Sequence, residues 1–473
     1  MRDTYDLVVV GGGPAGQAAA ELAAFYGRRV LIVQDGPPGG AVTTTGGVPT
    51  KTLRELARRA RDVGPVPLEQ ALRGMAARAT AVCATVQEAL AAEIAAAGIE
   101  TLRGRARLVD GHTLRVESRS VAARAIIVAT GSRPRRLPFD DPDVYDSDGI
   151  LAMRKVPRDV VVVGAGAVGI EYATVFAALG VAVTVVDGAE RPLPDMDDEL
   201  VDLLLDDCRD HGIRFVRRAT VVDVSRSDGR LAVTLSTGAR LATDTMLVAA
   251  GRAPVTDGLG LDDVGVRLGE RGGVAVDAFF RTSVDGVYAV GDVVAPTLAS
   301  VAAQQGRAAA CHALGLVFGV AVDQAASTAV YGLPEIAGVG ATERELAERG
   351  VPHLVGRCDL ATTPRGAIGG NGGRLKVLFR PDDRKVLGVH CVGEVAAEVV
   401  GLGQVALQLD AALDVFLVTA LATPTYSAAY HAAAVDGIAR LARLQASRTA
   451  QEVRATAKIR RNGNQVVPSG RAG

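Results

Sequence analysis

Short apolar runs broken by glycine alternate with alanine-rich stretches along most of the chain. The run "DLVVV" meets "GGGPAG", continues as "QAAAELAAFYG" and closes in a second apolar run, "RRVLIVQD". That order predicts a strand, a tight turn, an amphipathic helix and a second strand, a βαβ unit. The pattern returns at "RDVVVVGAGAVGIEYATVFAALGVAVTVVDGAERPL". "AIIVATGSRPRRLP" predicts a strand leaving the first unit through a Thr130–Gly131 turn. "MLVAAGRAPVTDGLGL" repeats that arrangement with Gly251 and Arg252 at the end of the second unit. "TSVDGVYAVGDVV" returns to the first unit and ends at Asp292. From about residue 328 the texture changes to "TAVYGLPEIAGVGATERELAERG" and "RLKVLFRPDDRKVLGVHCVG", which predict a separate α+β domain. Residues 446–473 carry Arg448, Arg454, Lys458, Arg460, Arg461 and Arg471 against Glu452, and read as a mobile basic tail.

The glycine spacing gives both turns a chemistry. Gly11, Gly13 and Gly16 stand at GxGxxG positions, as do Gly164, Gly166 and Gly169. The first glycine permits the tight turn, the second lets a pyrophosphate approach the backbone, and the third lets helix and strand pack closely. The helix N-terminus then offers free N–H groups to phosphate. A carboxylate usually ends the following strand and holds the ribose hydroxyls. After the first turn that place is Gln34, followed by Asp35; after the second it is Asp187. Asp187 favours a free 2′-hydroxyl and so NADH over NADPH, while Arg191 pulls the other way. Two cradles imply two dinucleotides and hydride exchange between them.

Bulk composition narrows the class. A chain of 473 residues is expected to form roughly two to four domains. A net charge of −1 argues against a nucleic-acid partner. No apolar run in the sequence reads as long enough to span a bilayer, and the chain enters a strand almost at once, so a cytoplasmic protein without membrane partners is expected. Cys83, Cys208, Cys311, Cys358 and Cys391 are scattered, with no CxxC or CxxxxC pair, and read as reduced thiols. The histidines show no metal-ligand spacing, so no metal is expected.

With these features in place, residues 5 to 445 resemble the two-dinucleotide flavoproteins that include glutathione reductase and dihydrolipoamide dehydrogenase. Within that family the chain looks most similar to the soluble, FAD-dependent pyridine nucleotide transhydrogenases. The matching stretches include "VPTKTLRELA", "YDSDGILAM", "GAGAVGIEYATVFAALG", "GVYAVGDVVAPTLASVAAQQGRAAA" and "YGLPEIAGVGATERELAERGVP". The resemblance implies an α/β fold: two nested Rossmann-like dinucleotide-binding domains, for FAD and NAD(P), plus a C-terminal α+β dimerisation domain. The boundaries would be 1–153 with 279–327 for FAD, 154–278 for NAD(P), 328–445 for dimerisation and 446–473 for the tail. It also implies FAD against Gly11, Gly13, Pro14, Ala15, Gly16, Gly40 and Ala41, with Thr130 and Gly131 nearby and Asp292 on the ribityl chain. Leu298 and Ala299 would start a helix facing the flavin pyrimidine ring, where a helix N-terminus suits negative charge. Lys51 and Glu171 match the family's ion pair beside flavin N5. A homodimer is implied, with Thr423 and Pro424 near the partner's flavin.

The loop "PGGAVTTTGGVPTK" departs from the disulfide-reducing relatives. Matching backwards from Lys51 puts their two redox cysteines at Val42 and Gly47, and neither residue supplies a thiolate. Their proton-carrying His and its Glu fall at Thr423 and Ala428. Tyr430 and His431, close by, read as interface residues. The chain is therefore expected to be an FAD-dependent NAD(P)H oxidoreductase with a small-molecule, non-disulfide acceptor, most like a transhydrogenase. An alternative sends electrons to a quinone or another small molecule in a face widened at Val42, Gly47 and Ala428. A third reading is a flavin-binding protein without turnover.

Overall fold

The first apolar run, Thr4–Val10, lies inside a seven-stranded sheet and pairs in parallel on both sides, with Val30–Gln34 and with Arg119–Val128. Its register sets Val10 opposite both Val33 and Val128, so three strand ends converge at the glycine turn that follows. Leu7, Val8 and Val9 are fully buried because helices or further strands cover both faces, as parallel sheets require. Val287–Ala289 joins the sheet beside Arg119–Val128, which carries the chain back to the first unit at Asp292. The structure, a computed structural model, describes residues 4–63, 68–153, 156–317, 326–370 and 372–463.

The helices that matter for the site are α1 (Pro14–Phe25), α2 (Ala41–Thr44), α3 (Val48–Val63), α4 (Leu68–Ala96), α5 (Ala167–Ala178), α6 (Asp198–Asp210) and α7 (Ala299–Leu314). Helix α5 follows the second glycine turn and packs on a five-stranded parallel sheet ordered Arg214–Val216, Ala182–Val186, Asp159–Val163, Thr245–Val248, Val144–Asp146. These are two Rossmann-like α/β layers in one compact unit, residues 1–194 with 205–333. The second unit, residues 195–204 and 334–473, holds four antiparallel strands: Glu335–Gly340, Val386–Gly393, Arg374–Phe379 and Leu354–Asp359.

The expected boundaries shift in three places. Val144–Asp146 belongs to the second sheet rather than the first domain, because it extends that sheet's edge beside Thr245–Val248; the boundary residue 154 lies outside the described residues. Asp195–Leu204 groups with the C-terminal unit, drawn there by ion pairs treated below. The segment from Ala446 is helical rather than mobile as far as Gly463, continuing the C-terminal helix Ala429–Gly463. Alanine and arginine, four of each, dominate residues 446–463, and both are good helix formers. Residues 464–473, with Arg471, lie outside the described residues.

One helical segment, Arg73–Ala96 of α4, is long and apolar enough to cross a membrane by length and composition alone, contrary to the sequence expectation. Its hydropathy comes largely from alanine, which raises the mean without supplying bulky apolar surface.

Candidate functional site

Helix α1 begins at Pro14, with Gly13 extended at its N-cap and no side chain capping the helix, so the first-turn N–H groups are left for a ligand. A side chain at Gly13 would meet nothing within 4 Å, whereas a Cβ at Gly16 would lie 2.0 Å from the Gly11 carbonyl oxygen. The middle glycine thus opens a cradle and the third closes the helix onto the strand. Ala15 is buried, and its carbonyl oxygen would lie 2.0 Å from a Cβ at Gly306 of α7, so α1 and α7 pack backbone to backbone. Gly39 donates its N–H to the Gly12 carbonyl at 2.8 Å, and Gly40 caps α2 with its Cα side against Gly13. The loop of residues 36–47 folds back over the first turn, and Ala41 stands exposed at the start of α2.

The structure separates the two candidates at the end of the second strand. Gln34 lies over Gly12, and its buried Oε1 has no hydrogen-bond partner. Asp35 points to solvent and pairs with Arg105 at 3.4 Å. A buried acceptor with no partner beside a glycine cradle is what a diol-bearing ligand would satisfy.

Asp292 accepts from the Thr297 N–H at 2.8 Å and from the Ser132 hydroxyl at 2.6 Å. Ser132 in turn accepts from Arg252 Nε at 2.9 Å, and Arg252 also reaches Asp148 at 3.0 Å. Ser132, which no motif marked, thus joins Arg252, expected at the nucleotide, to Asp292. Thr130 donates its hydroxyl to the Val255 carbonyl at 2.7 Å, and Gly131 and Gly251 both turn with positive φ. Leu298 is the extended N-cap of α7, again with no side-chain cap before Ala299.

Lys51, in the first turn of α3, holds Glu171 of α5 through both carboxylate oxygens, at 3.0 and 2.9 Å. The Lys51 side chain is 35% exposed and that of Glu171 11%, so one end of the pair faces open space. Tyr331 fixes both partners: its N–H donates to Glu171 at 3.0 Å and its ring centroid lies 4.7 Å from the Lys51 ammonium. Nothing in the local sequence marks Tyr331, because its partners lie far away along the chain.

At the second turn, a Cβ at Gly169 would lie 1.8 Å from the Gly164 carbonyl oxygen, and Gly166, the N-cap of α5, faces open space. Asp187 accepts from the Ala165 N–H within that turn, and from the Ala189 N–H at 2.6 Å. Its carboxylate thus braces the turn from the end of the strand, the position from which it would meet a ribose. Arg191 is partly buried.

Two acceptor-side expectations change. The face is not widened at Gly47, because a Cβ there would lie 2.8 Å from Val42 Cγ1; valine already fills that space. Tyr430 is fully buried, donating to the Val399 carbonyl at 2.9 Å and accepting from the Gly403 N–H at 3.0 Å, so it is a core residue rather than an interface one. His431 is exposed, as is Thr423, and Ala428 is half-buried. Among the described residues no His, Cys, Asp and Glu cluster is placed to hold a metal ion.

Residues 5–306 match the family model described as pyridine nucleotide-disulphide oxidoreductase, and residues 326–434 match its dimerisation domain. The chain is 37% identical over 459 residues to a soluble pyridine nucleotide transhydrogenase of Mycobacterium tuberculosis, covering 92% of this chain and 97% of that one. It is 35% identical over 460 residues to the protein of that name from Marinomonas, covering 92% and 99%. Among solved structures, LpdA of Mycobacterium tuberculosis superposes with a TM-score of 0.84 at 30% identity, covering 90% and 98%. The flavoprotein disulfide reductase RclA of Escherichia coli superposes with a TM-score of 0.83 at 25% identity, covering 92% and 99%.

Proposed function

The chain belongs to the pyridine nucleotide-disulphide oxidoreductase family, and from that premise we propose that it moves hydride from a nicotinamide dinucleotide to a non-disulfide acceptor, most like a soluble NAD(P) transhydrogenase. It is an FAD-dependent pyridine nucleotide oxidoreductase, with FAD as cofactor and NAD(H) or NADP(H) as substrate. FAD, when bound, supplies the two-electron exchange with a nicotinamide. The residues of the first turn fit it: the open cradle at Gly13, the uncapped α1 and the unpartnered Gln34 oxygen are complementary to pyrophosphate and ribose. Asp292 and the N-terminus of α7 would serve the ribityl chain and ring. Asp187, Gly164, Gly166 and Gly169 would hold the nicotinamide dinucleotide, with a lean to NADH.

The observation that carries the proposal is the Lys51–Glu171 pair. Lys51 stands on the helix that follows the loop around the first turn, and Glu171 on the helix that starts at the second. One ion pair therefore joins the helices associated with the two cradles, which supports the reading of Lys51 as a cation beside the reacting nucleotides. The acceptor is a second nicotinamide or another small molecule rather than a disulfide, because Val42 and Gly47 offer no thiolate and Thr423 and Ala428 no acid–base pair. A quinone is the second reading, resting on the loss of every thiolate and acid–base group at Val42, Gly47, Thr423 and Ala428. The dimerisation-domain match supports a homodimer.

Anaerobic stopped-flow absorbance tests this. NADH, and more slowly NADPH, is expected to bleach the flavin of the purified protein. Adding thio-NAD⁺ or a quinone should then restore the colour, whereas glutathione disulfide should not. A flavin bleached by neither donor would leave a flavin-binding protein without turnover. Gly169→Val separates the two cradles: its side chain has no room at the Gly164 carbonyl. Flavin content should stay normal while bleaching by NADH slows on the order of a hundredfold, from misplacement of the donor.

A further inference from the structure

A cavity of about 810 Å³ lies among α2, α3, α4 and α5; Thr43, Arg73, Thr80 and Gln87 are polar parts of its wall, and none of the glycines of the two turns, Lys51 or Glu171 lines it. Its size falls in the range of small-molecule sites, roughly 300–1,000 Å³. Leu53, Met75, Ile150, Val175 and Phe176 give it apolar walls. The reason it stays open is in α4: the residues facing it include Ala76, Ala79, Cys83 and Ala84, too small to fill the space between this helix and its neighbours.

One polar group in that wall is out of keeping with the rest of the protein. Tyr172 is 4% exposed, and its hydroxyl is buried with no hydrogen-bond partner. The other buried tyrosines all have one: Tyr5 with Glu100, Tyr288 with His312, Tyr426 with Glu394 and Tyr430 with Val399. Leaving a buried hydroxyl unmatched is costly, so an unmatched one beside an open cavity is a recognition group waiting for its acceptor. Burial first, then the negative charges of Glu171 and Asp148, push the Tyr172 phenol up, so it stays a proton donor at neutral pH.

We propose that this cavity binds a neutral, apolar ring compound bearing a carbonyl oxygen, and that the Tyr172 hydroxyl donates to that oxygen. None of the glycines of the two cradles lines the cavity, so the proposal includes binding of the ligand alongside both nucleotides.

Equilibrium dialysis of the full-length flavin-loaded protein with 9-fluorenone and with fluorene, which has the same rings without the carbonyl, tests this. Saturable binding of one fluorenone per chain is expected, about tenfold tighter than fluorene, for one well-placed hydrogen bond. Tyr172→Phe should bring fluorenone down to the fluorene level and leave fluorene unchanged. Ala84→Phe and Ala76→Phe, both at exposed positions in the α4 wall, should each remove binding of both compounds while flavin content and melting temperature hold. Saturating NADH should not displace fluorenone. Binding that ignores the carbonyl, survives both alanine substitutions or is displaced by NADH overturns the proposal, as does the absence of saturable binding. These readouts use no turnover, so they stand or fall apart from the assigned reaction.

Discussion

Replacing Lys51 by methionine should slow bleaching of the flavin by NADH by about 10²–10³-fold, with flavin content unchanged. Methionine keeps the length of the side chain and removes the ammonium that binds both oxygens of Glu171 at 3.0 and 2.9 Å. Two losses combine. The cation assigned above to the proposed meeting point of the nucleotides is gone, and Glu171 is left with the Tyr331 N–H at 3.0 Å while its side chain is just 11% exposed. The carboxylate is then free to swing, and the geometry that a hydride step demands is lost. Glu171→Gln should cost less, since an amide oxygen still accepts from Lys51. The double variant should be little slower than Lys51→Met alone, because the two residues act as a unit. The readout is single-turnover bleaching under anaerobic conditions, with flavin absorbance as the occupancy control. Bleaching of Lys51→Met at the unmodified rate would sink the assignment of this pair to the reaction.

The parts of this site legible in the sequence are those set by local geometry. A glycine whose Cβ would stand 2.0 Å from a carbonyl oxygen announces itself by spacing alone, and so do the two turns and their helices. Lys51 and Glu171 came from resemblance, since 120 residues separate them and no local pattern links a lysine in one helix to a glutamate in another. Ser132 stayed hidden for the same reason: it links Arg252, 120 residues on, to Asp292, 160 residues on. The choice between Gln34 and Asp35 depended on which side chain packs over Gly12, a matter of strand register that adjacent residues do not reveal. The width of the loop face was misjudged because residue size was read position by position. Gly47 is small, but Val42 fills the space it leaves.

Lys376→Met should destabilise the second unit by about 3–5 kcal/mol, the usual cost of removing one member of a buried ion pair, although its neighbours carry no motif. Lys376 is 1% exposed and binds Asp197 at 2.9 Å, Glu199 at 3.2 Å and Glu343 at 2.6 Å. Arg357 and Arg374 complete the group by pairing with Glu199 at 2.8 and 3.0 Å. Three cations thus balance three carboxylates, and the contacts hold residues 195–204 to the unit formed by 334–473. Without the lysine, Asp197, equally buried, has lost the ammonium that both its oxygens accept from. Burial by itself would raise Glu199, but hydrogen bonds from Arg357 and the charge of Lys376 outweigh it and hold the carboxyl down at about 2. A depressed carboxyl contributes stability above its ordinary value near 4.3 and loses it as pH falls towards 2. The penalty of Lys376→Met should therefore hold from neutrality down to about pH 4.3 and shrink as pH falls from there towards 2. Melting followed by circular dichroism should show a drop on the order of 10 °C at pH 7. Lys376→Met with Asp197→Leu should recover much of it, since an apolar pair replaces a broken ionic one. A single variant that melts with the parent at pH 7 would show that the cluster contributes charge balance without stability.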